Sequence, residues 1–120
     1  MIPKYSFLKV VDNSGAKLAQ VIGFYGHQGG FASVGDVVKV VVKEARGEKI
    51  TAGVMRKAVV VEQKYPVFRL NGSHVQYMRN SAALLSEKGQ PVGNRVKSLL
   101  SVEFQKPRWA KLRSIAKRLY

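Results

Sequence analysis

The sequence predicts a mainly β fold, in which five or six short strands close as a small barrel and a short helix ends the chain. Two patterns predict it: alternating apolar and polar residues divided by glycine-bearing turns through the first 85 or so residues, and a helical period after Pro107. The chain has 120 residues, of which 46% are hydrophobic, and this is enough to form one domain with a buried hydrophobic core. We therefore expect a single domain over residues 1–120, with the barrel in 1–104 and a basic helical tail in 105–120.

The first strands are predicted at Tyr5 to Val11 and Leu18 to Tyr25, on either side of the turn Asp12-Asn13-Ser14-Gly15. The side chains of this turn are suited to capping backbone donors. The next strand, from Asp36 to Ala45, places its even-numbered valines on one face and Lys39, Val41 and Lys43 on the other. That alternation indicates one buried face and one basic face.

A central strand is predicted from Val54 to Lys64, because Ala58 to Val61 is apolar on both parities. The connection before it, Ala45 to Gly53, is typical of a turn or a protruding ribbon. Farther on, Asn71-Gly72 predicts a hairpin with a tight primed turn between strands at Tyr65–Leu70 and Ser73–Met78. Closure of these strands into a barrel would leave no exposed sheet edges.

The tail changes period after Pro107, a residue suited to a first helical turn. Five apolar side chains fall within an arc of roughly 120° at 3.6 residues per turn. They are Trp109, Leu112, Ile115, Ala116 and Leu119. We therefore expect a C-terminal helix that docks this stripe onto the barrel.

Net charge is the most informative part of the composition. Lys and Arg number 21 against 7 Asp and Glu, which leaves +14 at neutral pH. The excess is concentrated in residues 46–80 and 95–120, whose cations minus anions give 7 − 2 = +5 and 8 − 1 = +7. Such a density predicts an anionic partner.

Catalysis, metal binding and membrane insertion find little support in the sequence. Cysteine is absent, which excludes disulfides, zinc thiolates and cysteine nucleophiles. Only His27 and His74 are of the type that exchanges protons near neutral pH, and the seven carboxylates are scattered. We expect no cofactor, no metal and no enzyme activity. The alternative of a small hydrolase requires a His–carboxylate pair at His27 or His74.

A membrane partner is also disfavoured. The longest uncharged stretch, between Lys17 and Asp36, contains five glycines and several polar residues. The apolar stripe of the tail is short, and docking onto the barrel accounts for it. The N-terminus lacks a signal or transit pattern, so we expect the mature protein from its first residue.

Nucleic acid fits the charge better, because Lys and Arg pair with phosphate oxygens and release counterions. The aromatic residues are spread over the strands, and we expect most of them in the core rather than in a stacking surface. They are Tyr5, Phe7, Phe24, Tyr25, Phe31, Tyr65, Phe68 and Tyr77. A free-standing barrel that binds single strands is the alternative, and it requires an exposed aromatic platform.

Several segments together resemble the ribosomal protein L14 family of the large subunit (uL14), in its bacterial or organellar form. The matching segments are residues 12–17 (DNSGAK), 34–39 (VGDVVK), 42–45 (VKEA), 57–61 (KAVVV), 71–73 (NGS), Tyr77, Asn80 and 91–95 (PVGNR). Their order and spacing agree over essentially the whole chain.

The resemblance implies a five-stranded barrel with a projecting β-ribbon, bound to large-subunit rRNA at the face that meets the small subunit. It also implies contact with small-subunit rRNA in an intersubunit bridge, with a neighbouring protein of the L19 type, and with a ribosome-silencing factor near Asn94, Arg95 and Lys111. Asn94 replaces the family's usual Thr. Ser98-Leu99 replaces the usual Gly-Pro, Asn71 replaces Asp, and the tail has gained cations. These departures favour a mitochondrial ribosome over a bacterial or chloroplast one.

The sequence thus predicts a structural constituent of the ribosome that acts through fixed cations. For rRNA we expect Lys9, Lys17, Lys39, Lys43, Arg46, Lys49, Arg56, Lys57, Lys64, Arg69, Arg79 and Arg95. For the bridge or a docking factor we expect Arg46, Lys49, Asn94, Arg95, Arg108, Lys111, Arg113 and Arg118.

Overall fold

A computed structural model describes residues 2–25, 30–46, 50–68, 70–100, 104 and 107–119. Its strands are β1 (Ile2–Pro3), β2 (Phe7–Val10), β3 (Ala16–Phe24), β4 (Phe31–Ala32), β5 (Val37–Ala45), β6 (Met55–Glu62), β7 (Val67–Phe68), β8 (His74–Val75), β9 (Ser81–Leu85), β10 (Val96–Leu100) and β11 (Ala116–Leu119). A 3-10 turn at Pro107–Trp109 leads into the helix α1, Ala110–Ile115.

Five strands form a closed barrel in the order β2-β3-β5-β6-β9. Neighbours in this order are antiparallel, and the parallel pair β2–β9 closes the barrel. Short two-stranded sheets, β1–β4, β7–β8 and β10–β11, lie outside it. The predicted mainly β barrel is confirmed.

The burial predicted for the strands β5 and β6 is also confirmed. On β5, Val38, Val40 and Val42 are fully buried while Lys39 and Lys43 are exposed. On β6, residues 58–61 are all buried. Alternate residues of that run belong to two separate apolar clusters, one inside the barrel and one on its outer face.

The outer cluster is where the C-terminal part of the chain packs. Trp109 and Leu112 are buried against Val59, Val61 and Leu85 of the barrel wall. The predicted helix exists but ends at Ile115, earlier than the stripe suggested. From Ala116 the backbone is extended and pairs in parallel with β10, so backbone pairing with a strand replaces the predicted last helical turn.

The predicted Asn-Gly hairpin exists, but its turn is longer than predicted. The paired ends are Val67 with Val75 and Phe68 with His74, so Asn71-Gly72 lies inside a longer connection. Gly72 has φ +87°, whereas Asn71 is not in the positive-φ region that a type I′ turn requires. The Asn71 carboxamide oxygen instead accepts hydrogen bonds from the Ser73 backbone N–H (3.0 Å) and hydroxyl (2.6 Å).

The connection between β5 and β6 was predicted as a turn or a protruding ribbon, and its described residues are Arg46 and 50–54. Ile50 is buried with the residues inside the barrel, and the Gly53 N–H donates to the Val42 carbonyl oxygen at 2.7 Å. This part therefore folds onto the barrel, whereas β7–β8 forms an exposed hairpin. Residues 47–49 lie outside the described residues.

The prediction that most aromatic residues are core was wrong. Of the eight, Tyr77 is buried and Phe24 half-buried, whereas Tyr5, Phe7, Tyr25, Phe31, Tyr65 and Phe68 are exposed by 39% to 70%. The barrel is narrow, and Val, Ala, Leu and Ile side chains fill its interior. Large rings are left on the outside.

Candidate nucleic-acid interface

An open groove on the barrel surface brings together four cationic side chains. It has a volume of about 610 Å³ and is lined by Lys9, Lys17, Arg46 and Lys97, with Glu44 and Asp12 the acidic residues of its lining. All four cations are exposed, so their charged ends reach solvent. Three of them belong to the predicted rRNA set.

Local structure explains how Lys9, Lys17 and Arg46 meet. Lys9 on β2 pairs with Leu18 on β3, directly after Lys17. The Arg46 N–H donates to the Gly15 carbonyl oxygen at 2.5 Å, which fixes the end of β5 beside the start of β3. Gly15 has φ +108°, and a side chain there would collide with the Arg46 carbonyl oxygen. Gly15 therefore permits the approach that places Arg46 in the groove.

Lys97 is the groove residue that sequence reasoning missed. It lies on β10, and its N–H donates to the Val11 carbonyl oxygen at 2.8 Å, beside the end of β2. The segment VKSLL lacks the clear alternation that identified β5. The signal that could have found Lys97 is its position within the most basic segment of the chain, residues 95–120.

The turn after β2 supports both the groove and Arg95. The Asp12 carboxylate accepts from the Ser14 hydroxyl (2.6 Å) and from the Leu84 backbone N–H (2.9 Å). The Asn13 carboxamide oxygen accepts from the backbone N–H groups of Asn94 (2.9 Å) and Arg95 (3.1 Å). The Asn13 side-chain amide also donates to the Asn94 side chain. Polar capping by this turn was predicted and is confirmed.

A second cationic cluster lies at the paired strands β5 and β6. Lys39 and Lys57 are direct cross-strand partners, and with Arg56, Tyr25 and Glu87 they line a depression of about 280 Å³. The Lys57 ammonium is 5.1 Å from the centre of the Tyr25 ring. Among the described residues the buried Arg56 Nε has no hydrogen-bond partner. Facing like charges cost stability, which an anion bound between them would offset.

The remaining predicted rRNA residues are distributed over other parts of the surface. Lys43 and Lys64 are exposed. Arg79 is instead engaged in a structural ion pair: its Nε donates to the Glu62 carboxylate at 3.0 Å, which also accepts from the Ser81 hydroxyl at 2.8 Å. Lys49 and Arg69 lie outside the described residues, as does His27.

The tail displays a third group of cations. The Arg108 guanidinium carbon lies 4.5 Å from the centre of the Trp109 ring, and Arg108 and Lys111 are exposed. Arg113 is half-buried, and the backbone of Arg118 belongs to β11. Asn94 and Arg95 are exposed on the segment that Asn13 holds. The groove and this segment therefore share one support.

His74 lies on the exposed hairpin with its ring centre 5.9 Å from that of Phe68. Within the described ranges, no group of three or more His, Asp or Glu residues is placed to hold a metal ion. Among the same residues, no helix has the length and apolar character needed to cross a membrane.

The closed barrel and its cationic surface define a small basic β-barrel protein. Two mitochondrial relatives, both described as large ribosomal subunit protein uL14m, come from Schizosaccharomyces pombe (39% identical over 98% of each chain) and Neurospora crassa (36% over 97% of each). A bacterial relative, large ribosomal subunit protein uL14 of Aquifex aeolicus, is 37% identical over 97% of each chain. Residues 1–120 match the family model described as ribosomal protein L14p/L23e, and the chain belongs to that family. Its members are structural, non-enzymatic constituents of the large ribosomal subunit.

Proposed function

We propose that the chain binds large-subunit rRNA through the cationic groove of Lys9, Lys17, Arg46 and Lys97. The observation that carries this proposal is the convergence of four exposed cations from β2, β3, the end of β5 and β10 on one surface depression. The rigid barrel fixes the spacing of these charges. Binding to a folded polyanion then depends on the shape of the RNA backbone as well as on its charge.

The groove proposal is tested by the salt dependence of binding to purified large-subunit rRNA. The logarithm of the binding constant falls as the logarithm of the salt concentration rises, and removing one cation that neutralises a phosphate makes this negative slope shallower by about 0.7–0.9. Replacing Lys9, Lys17 and Lys97 together by Ala therefore makes the slope shallower by about 2–3. Lys88→Ala is the single-lysine control, because Lys88 is exposed and does not line the groove. An unchanged slope in the triple variant would remove the groove from the RNA interface.

The cations outside the groove extend the same proposal. Lys39, Arg56 and Lys57 form a second phosphate-binding cluster, and Lys43, Lys64 and Arg95 add single contacts. Contact of Lys49 and Arg69 with rRNA is proposed from the sequence, since both residues lie outside the described residues. Arg79 is the weakest member of the predicted set, because its Nε is already occupied by Glu62.

At the subunit interface we propose that the tail contributes to an intersubunit bridge with small-subunit rRNA. Arg108 and Lys111 are exposed on the helical segment, and the buried Trp109 and Leu112 anchor that segment to the barrel. Arg113 and Arg118 belong to the same proposal, as do Arg46 and Lys49. Contact with a neighbouring protein of the L19 type, which the family resemblance implies, belongs to the same proposal. Asn94, Arg95 and Lys111 are the positions proposed for a ribosome-silencing factor.

We further propose that the particle is a mitochondrial ribosome. The support is the set of sequence departures at Asn71, Asn94 and Ser98-Leu99, together with the basic tail. Sedimentation of the tagged chain from fractionated mitochondria tests this assignment. Recovery with rRNA in a large-subunit particle is expected; recovery as light, RNA-free protein contradicts it and favours the free-standing single-strand binder.

A further inference from the structure

Three large rings stand in solvent close to the N-terminus. Tyr5, Phe7 and Phe31 are 62%, 53% and 51% exposed, and we call them the aromatic platform. Phe31 is the cross-strand partner of Pro3, and Tyr5 and Phe7 follow Pro3 at intervals of two residues. The three rings therefore come from neighbouring segments: β4, and the chain that runs from β1 into β2. Exposed rings on neighbouring segments indicate a contact surface.

The backbone at Tyr5 is strained, and several hydrogen bonds hold it. Its φ is +71°, a region that bulky residues rarely adopt. The Tyr5 N–H donates to the Val21 carbonyl oxygen at 2.7 Å, and the Gln20 side-chain amide donates to the Tyr5 carbonyl oxygen at 3.0 Å. The Val21 N–H donates to the Ser6 carbonyl oxygen at 2.9 Å. Strain that its surroundings enforce occurs mostly at functional sites, and here it sets the direction of an exposed ring.

The charge around the platform is positive. The Lys4 ammonium lies 5.4 Å from the centre of the Tyr5 ring. Lys9, two residues after Phe7 on β2, is exposed and lines the cationic groove. The sequences of β1, β2, β3 and β4 contain no Asp or Glu, and the Asp36 carboxylate that follows β4 accepts a hydrogen bond from the Ser33 N–H at 2.9 Å. The platform therefore adjoins cations that are suited to phosphate, whereas an apolar protein partner would have to desolvate these cations.

We propose that the aromatic platform stacks unpaired bases of the RNA whose phosphates lie in the cationic groove. Flat rings accept the face of any base, and the neighbouring lysines neutralise the backbone on either side of it. This inference rests on the proposed rRNA binding and adds the class of nucleotide recognised. It assigns single-stranded or bulged nucleotides to the platform and leaves helical backbone to the groove. Exposed rings also meet the requirement of a free-standing single-strand binder, which recovery of the chain in a large-subunit particle would exclude.

The test compares two probes with equal numbers of phosphates: a ten-nucleotide oligoadenylate and an abasic ribose-phosphate chain of the same length. The full chain is titrated with each at low salt. We expect oligoadenylate to bind at least about fivefold more tightly, the contribution of one stacked base. Tyr5→Ala and Phe31→Ala reduce this ratio towards one, whereas Tyr5→Phe keeps it. Phe68→Ala is the control, because Phe68 is an exposed ring on the β7–β8 hairpin.

Phe31→Leu separates stacking from apolar contact with a protein. Leucine preserves apolar volume without a flat ring, so stacking predicts that this variant loses the preference for bases. An unchanged ratio in Phe31→Leu and Phe31→Ala, with normal salt-dependent binding of both probes, overturns the platform and leaves the proposed rRNA binding intact. The absence of salt-dependent binding to either probe and to the rRNA overturns both. Thermal melts of each variant confirm that the barrel remains folded.

Discussion

Truncation of Trp109 measures how strongly the tail is anchored to the barrel. The ring is 4% exposed and belongs to the outer cluster with Val59, Val61 and Leu85. It also meets the Phe104 ring edge-on, with centres 5.6 Å apart at 67°. Removing a large buried ring costs about 3–5 kcal/mol in transfer and cavity energy. Trp109→Ala is expected to lower the free energy of unfolding by about this amount.

Thermal unfolding of the purified chain, followed by circular dichroism, provides the measurement. For a domain of this size the loss corresponds to a decrease of roughly 10–20 °C in the midpoint. Arg108→Ala is the matched control: it removes the cation 4.5 Å above the same ring but leaves the ring in place, so about 0.5–1 kcal/mol is lost. An unchanged midpoint in Trp109→Ala would show that the tail unfolds independently and that the outer cluster does not stabilise the barrel.

Two further predictions concern the tail and the segment beside the groove. In Gly93→Ala the new Cβ would lie 2.7 Å from the Asn13 carboxamide oxygen, so the hydrogen bonds that hold Asn94 and Arg95 must shift. We expect the free energy of unfolding, measured by denaturant titration, to decrease by about 1–3 kcal/mol. Gly30→Ala, with nothing within 4 Å of its Cβ, should have little effect, and equal stabilities of the two variants would contradict the reasoning. Replacing Arg108 and Lys111 by Ala should weaken subunit joining in light scattering while large subunits still assemble; normal joining would exclude the tail from the bridge.

The strands that sequence could predict are those whose burial is decided locally. β5 is readable because its valines alternate with lysines, and β6 because Ala58 to Val61 is apolar throughout. β9, which closes the barrel, was not predicted, and the predicted hairpin strands lie outside the barrel as β7 and β8. β10 and β11 were missed because their pairing joins segments 20 residues apart, and residues such as Ala116 carry no strand signal of their own. Backbone pairing with β10 overrode the helical period at the end of the tail.

The candidate site was predictable in composition but not in arrangement. Charge alone selected Lys9, Lys17 and Arg46, and the barrel brings them together as sequence reasoning could not foresee. Charge alone also selected Arg79, although its Nε pairs with the buried Glu62. Apolar character suggested that Phe7 and Phe31 are core, yet the narrow interior excludes them. Which cation or ring is displayed depends on the barrel radius and register, quantities that no single segment encodes.

Asn13 links the proposed surfaces physically. Its carboxamide oxygen holds the backbone of Asn94 and Arg95, while Asn13 itself lines the groove with Lys9 and Lys97. A cationic residue whose backbone is already fixed loses less conformational entropy when it binds RNA, so the free energy of binding is more favourable. Gly93 allows this close approach, since a larger residue would displace the Asn13 side chain. The affinity of the groove and the placement of Arg95 therefore depend on the same turn, and a change there should alter both together.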